Sequence, residues 1–130
     1  MVWYQRRANK YGAKKTVWNG RKYDSKLEAG VAQEIEVLRK AGEVVSVEPQ
    51  RTFVLYGKNG GKICSHRVDF LLTFKDGHQE VWEAKGVATE VWRLKRNLFE
   101  DNYPNISYVV ITSKQTYHYG KGYHSKRTAN

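Results

Sequence analysis

Sulfur and acid are what this sequence is short of. Among 130 residues there is one cysteine, Cys64, so an intrachain disulfide and a clustered-thiol metal site are both excluded. Cys64 reads as a small, half-buried residue. The histidines, His66, His78, His118 and His124, show no His-x-x-x-His spacing, which argues against a histidine-built metal centre. His78 lies beside a turn and reads as a surface residue. No apolar run is long enough for a membrane span or a signal sequence. The expectation is a soluble, cytoplasmic protein with no membrane partner. Acids number 13 against 23 Lys and Arg, a formal net charge of +10. Such an excess points to a polyanion, nucleic acid ahead of an anionic membrane surface.

The cations are unevenly placed. Arg6, Arg7, Lys10, Lys14, Lys15, Arg21, Lys22 and Lys26 face a single acid, Asp24, and the segment from Ser113 to Asn130 has Lys114, Lys121, Lys126 and Arg127 with no acid. Trp3, Tyr4, Tyr11, Trp18, Tyr117, Tyr119 and Tyr123 interleave with them. Charge of this kind suits phosphates and the rings suit stacked bases; solvated, poorly ordered ends are the plainer reading. The length fits a single domain, read as residues 1–112 with a basic arm over 1–15, followed by a basic flexible tail over 113–130.

Periodicity supplies the elements. Asn19-Gly20 between two short runs is a hairpin signal. Leu27, Val31, Ile35 and Leu38 recur at helical spacing, which predicts a helix over 26–41 with Ser25 as its cap and Gly42 as its stop. Strands are expected at 44–47, 51–56, 62–74, 79–85 and 106–112. A second helix is expected over 90–102, capped by Thr89, with Val91, Leu94 and Leu98 on one face and Pro104 beyond its end. No internal repeat is present. The order implies an α/β (α+β) fold, with helices on a mixed sheet.

The stretch "VDFLLTFKDGHQEVWEAKG", Val68 to Gly86, places charge inside two apolar strands. A two-residue Asp76-Gly77 loop would set Asp69 across from Ala84. A three-residue Lys75-Asp76-Gly77 loop pairs Phe74 with His78 and sets Asp69 across from Glu83. Lys-Asp-Gly suits the second, a type I turn closed by a left-handed glycine. That register also gathers Phe70, Leu72, Phe74, Trp82 and Ala84 on one face and Asp69, Glu83 and Lys85 on the other. Glu80 then falls on the apolar face, near enough to the strand end to reach water.

Facing carboxylates repel, and a divalent cation removes the repulsion. Hard oxygen ligands suit Mg²⁺, which takes one or two carboxylates with waters and substrate phosphate. Lys85 would project beside it, able to hold a water and offset phosphate charge; a surface pair of Glu83 with Lys85 is the structural alternative. Ser25-Lys26-Leu27-Glu28 is a capping-box pattern that accounts for Glu28 in full. Glu28 pointing at the metal, directly or through water, accounts for it equally. On the second helix Arg93, Lys95 and Arg96 could hold phosphates or form a solvated face.

Glu28, Asp69 and Glu83-Ala84-Lys85 resemble, in order and spacing, the PD-(D/E)xK nuclease superfamily. The wider phrase "NKYGAKKTVWNGRKYDSKLEA", then "VDF" and "VWEAKG", is similar to phage-borne members that look related to Holliday junction resolvases and to endonuclease subunits of some transposition systems. The similarity covers about Asn9 to Thr112. It implies two helices flanking a four- or five-stranded mixed sheet, a restriction-endonuclease-like core, and Mg²⁺- or Mn²⁺-dependent hydrolysis of a DNA phosphodiester, in duplex or branched DNA. By that resemblance Asp69, Glu83 and the Ala84 backbone carbonyl bind metal, Lys85 positions the attacking water, and Glu28 supports the site. Gln50 in "EPQ" resembles a site neighbour, and a turn residue is its alternative. Val68 stands where the signature proline would be, which weakens the motif without breaking its chemistry. A phage-encoded protein would act in the host cytoplasm, and junction cleavage would call for a homodimer. Two other readings stand beside this one: a non-catalytic basic nucleic-acid-binding protein, and a nuclease subunit active only with a partner.

Overall fold

The computed structural model describes the backbone of residues 16–18 and 21–23 and, in full, residues 26–120. Strands β1 (Thr16–Trp18) and β2 (Arg21–Tyr23) pair antiparallel, with Trp18 opposite Arg21, which leaves the two residues expected for the hairpin loop. Helix α1 (Lys26–Lys40) buries Ala29, Val31, Ala32 and Ile35. It stops where the Gly42 N–H donates to the Arg39 carbonyl and the Glu43 N–H to that of Leu38, two bonds that satisfy the last turn.

Strands β3 (Val44–Pro49), β6 (Phe70–Phe74), β7 (Gln79–Ala84), β8 (Ser107–Ile111) and β9 (Thr116–Tyr119) form one five-stranded sheet in the order β3-β6-β7-β8-β9. Only the β7–β8 pair is parallel, and its crossover is helix α2 (Glu90–Asn102). Strands β4 (Thr52–Tyr56) and β5 (Lys62–Arg67) pair as a separate ribbon. Two apolar clusters lie on the two sides of the sheet. One joins Val31, Ile35, Val44, Phe70 and Leu72 beneath α1. The other joins Phe53, Leu55, Leu71, Val81, Phe99 and Tyr108 beneath α2. Mixed α+β architecture was the expectation, and it holds.

Several expectations change in detail. The single strand over 62–74 is two strands, broken at Val68 and Asp69. The break is a bend in one long antiparallel ribbon. Pro49 pairs with Phe70, the Gln50 N–H donates to the Asp69 carbonyl, the Val68 N–H to that of Arg51, and Thr52 pairs with Arg67. The tail expected from residue 113 is corrected as well, because Thr116–Tyr119 pairs with β8 as an edge strand. On α2 the expected face is only partly inward, for Leu98 packs on the second cluster but the other two residues do not. Val91 is 62% exposed and Leu94 69%, while Phe99 and Arg96 are buried. Glu80 does not reach water. It is buried, accepting from the Trp82 indole at 2.9 Å and paired with His78 Nε2 at 2.8 Å.

The turn at 75–77 follows the three-residue reading. The Phe74 N–H donates to the His78 carbonyl, the Gly77 N–H to that of Phe74, and Gly77 has φ +93°. Gly120, which ends β9, has φ +102°, and a Cβ there would lie 3.2 Å from the Ser107 Cα. Both the angle and the neighbour resist a side chain. Gly120→Ala is therefore expected to cost about 1–3 kcal/mol, read as a lowered urea midpoint at unchanged slope.

Candidate active site

Where the ribbon bends, Asp69 lies within the fields of two buried glutamates, Glu28 and Glu83. Asp69 occupies the bend, and its Oδ2 accepts the Ala84 N–H at 2.9 Å. Burial, then the charge of Glu28, then that of Glu83, pushes its carboxyl up to about 8. A carboxyl so displaced mostly keeps its proton at neutral pH, and a nearby cation would favour its ionised form. Glu28, in the first turn of α1, is buried, and its Oε2 accepts from Gln50 Nε2 at 3.3 Å. Gln50 itself holds φ +56°. A non-glycine residue in that conformation is strained, and such strain gathers at functional sites. The bend therefore sets Gln50 against Glu28 through its side chain and against Asp69 through its backbone.

Glu83 sits in β7 opposite Val110 and is buried. The Trp92 indole donates to its Oε1 at 3.0 Å, and the Tyr108 hydroxyl donates to the same oxygen. Both bonds leave Oε2 aside. Burial raises the Glu83 carboxyl, opposed by the Tyr108 bond and the Lys85 charge. Tyr108 is contacted in turn by His66 Nε2 at 2.7 Å. Burial and nearby Lys95, Lys85 and Arg96 lower His66 to about 4, so it is neutral at pH 7. Tyr108 has one proton and places it on Glu83, so His66 Nε2 carries the hydrogen of that contact. Lys85 follows the end of β7, and its Nζ lies 5.0 Å from the Trp92 ring centroid. Trp92 thus touches both halves of the Glu-x-Lys triplet.

The expected cations divide. Arg93 is exposed and Lys95 half-buried. Arg96 is not a surface cation: it is buried, pairs with Glu100 at 3.1 Å, and lies 4.0 Å over the Tyr119 ring. Arg6, Arg7, Lys10, Lys14, Lys15 and Ser25 lie outside the described residues, so the capping box is not described. Sequence reasoning missed Trp92, Tyr108 and His66. Trp92 stands three residues after the Thr89 cap whose side chain accepts its N–H at 3.1 Å, a placement that points its indole back along β7. Nothing local marks Tyr108 or His66.

Among the described residues no three His, Cys, Asp or Glu side chains form a ready-made metal cage. Asp69 lies in electrostatic reach of Glu28, Glu83 and Lys85. Among the described residues no helix is long and apolar enough to cross a membrane.

A family model described as "Protein of unknown function (DUF1064)" matches residues 8–119. No curated protein matches the chain. A solved structure described as "Crystal structure of SSO0001" aligns at 18% identity and a TM-score of 0.37, over 72% of this chain and 46% of that one. The chain thus spans less than half of that neighbour, and a likeness at this score carries no argument.

Proposed function

We propose that this chain, which belongs to the DUF1064 family, is a divalent-metal-dependent DNA endonuclease of the PD-(D/E)xK type. The observation that carries the reading is the bend at Gln50 and Asp69, which brings Asp69 into charge contact with Glu28 and Glu83 beside Lys85. A strained residue, two buried glutamates and a displaced aspartate in one place are expensive for folding alone. They suit a reaction that needs concentrated negative charge to hold a cation.

Asp69 and Glu83 would hold the ion, with Glu28 supporting them. Bound Mg²⁺ supplies charge neutralisation at a phosphate and a water of lowered pKa. The chain does the rest. The Ala84 amide fixes one oxygen of Asp69, and Trp92 and Tyr108 fix Oε1 of Glu83. Lys85, held near Trp92, offers a cation to the attacking water or to the phosphate oxygens. The formal charge of +10 draws DNA to this acidic spot.

Supercoiled plasmid incubated with the protein and Mg²⁺ is expected to become nicked, and EDTA is expected to stop it. Salt-sensitive DNA binding with no cleavage under Mg²⁺ or Mn²⁺, alone or with host extract, would return the chain to a non-catalytic binding role.

A further inference from the structure

The geometry points to a pocket for one unpaired DNA base beside Lys85, an inference that rests on the nuclease reading and gives it a substrate class. A cavity of about 260 Å³ opens there, and its walls include Lys85, Trp92, Arg93, Thr112, Tyr117 and Tyr119. It lies at the carboxyl ends of the parallel pair β7 and β8, where α2 begins.

Its chemistry is that of a base platform with a cationic rim. Tyr117 and Tyr119 are two apart on β9, opposite Val110 and Tyr108, and so share a sheet face. Tyr119 is held by Arg96 at 4.0 Å and Trp92 by Lys85 at 5.0 Å, which makes both rings fixed walls with positive charge against them. Among the described residues no ring or cation is stacked on Tyr117. Arg93, exposed, stands at the cavity to meet a backbone phosphate.

A volume of about 260 Å³ has room for a single flat ring, and the aromatic walls suit stacking it. A base inside an intact duplex cannot enter without unstacking. A base already unpaired meets no such penalty and gains the stacking on an aromatic ring. The substrate class is therefore DNA with an unpaired nucleotide next to the cut: a fork, flap or gap.

Fluorescence anisotropy in EDTA tests this, with a forked duplex against a plain duplex of equal charge. The fork is expected to bind at least about tenfold tighter. Abasic nucleotides in its unpaired arms, tested on the unaltered protein, should bring the ratio close to one. Tyr117→Ala should do the same, and Tyr117→Phe should keep the preference. Equal binding of fork and duplex, or an abasic fork bound as tightly as the normal one, overturns the pocket. Nicking of plain duplex with no preference for forks overturns the pocket and leaves the nuclease reading. Fork preference without cleavage under any divalent ion overturns the nuclease reading and leaves the pocket.

Discussion

Asp69→Asn is expected to abolish metal-dependent cleavage and, in the same protein, to raise stability at pH 8 in the absence of metal. The two effects have one cause. Metal charge at a phosphate is worth several kcal/mol in the transition state, so loss of a ligand should lower the rate by about 10³ or more. The stability effect follows from the raised carboxyl. Its folded value, about 8, lies above its unfolded value of 3.8. The folded state therefore binds the proton more tightly than the unfolded chain does. The resulting stability is full below the unfolded value and is lost as pH rises through about 8. Each pH unit of displacement corresponds to about 1.4 kcal/mol, which puts the loss at a few kcal/mol. Asparagine keeps an acceptor for the Ala84 N–H and carries no charge toward Glu28 or Glu83. Thermal melts in EDTA from pH 5 to pH 9 should show the parent weakening more steeply than the variant, which still carries the raised Glu83 carboxyl. Mn²⁺ should raise the parent's midpoint at pH 8 and leave that of the variant unmoved. A variant that melts in parallel with the parent over this range would show that the Asp69 carboxyl is not displaced by burial and by Glu28 and Glu83.

How much of this could be read from the residues alone depends on what each depends upon. The Lys75-Asp76-Gly77 turn is local, and its glycine conformation dictates the pairing of Phe74 with His78, so the register of β6 on β7 followed from the sequence. The ends of α2 followed too, since Thr89 caps its first turn by direct contact. Its buried face did not. Trp92, Arg96 and Phe99 form the inward stripe, and an arginine at its centre hides the period; the Tyr119 ring, the Glu100 carboxylate and the Asn97 side-chain oxygen make its burial tolerable. Val91 and Leu94 supplied a false stripe in its place. The bend at Gln50 was equally hidden, because a strained glutamine has no sequence signature and its reason lies across the chain at Glu28 and Asp69. β9 was obscured by the charge around it. An edge strand needs one partner, and β8 supplies it through pairings from Tyr108 with Tyr119 to Ile111 with Thr116.

Tyr108→Phe separates orientation from charge. The substitution keeps the ring, which lies 5.2 Å from Phe99 edge to face, and removes only the hydroxyl between His66 and Glu83. Glu83 keeps the Trp92 indole as its donor to Oε1 but loses the second bond that fixes its plane. Partners of this kind typically hold 10- to 100-fold in metal affinity. The expected result is a Mn²⁺ dissociation constant weakened by about that factor, measured by calorimetry, with cleavage recovered at high Mn²⁺. Lys85→Ala should behave in the opposite way. It removes no ligand, so Mn²⁺ binding should persist, and cleavage should stay low at every metal concentration. His66→Gln, whose amide can still donate to Tyr108, should fall between the parent and Tyr108→Phe. If Tyr108→Phe binds Mn²⁺ as well as the parent, the chain from His66 to Glu83 is core structure alone.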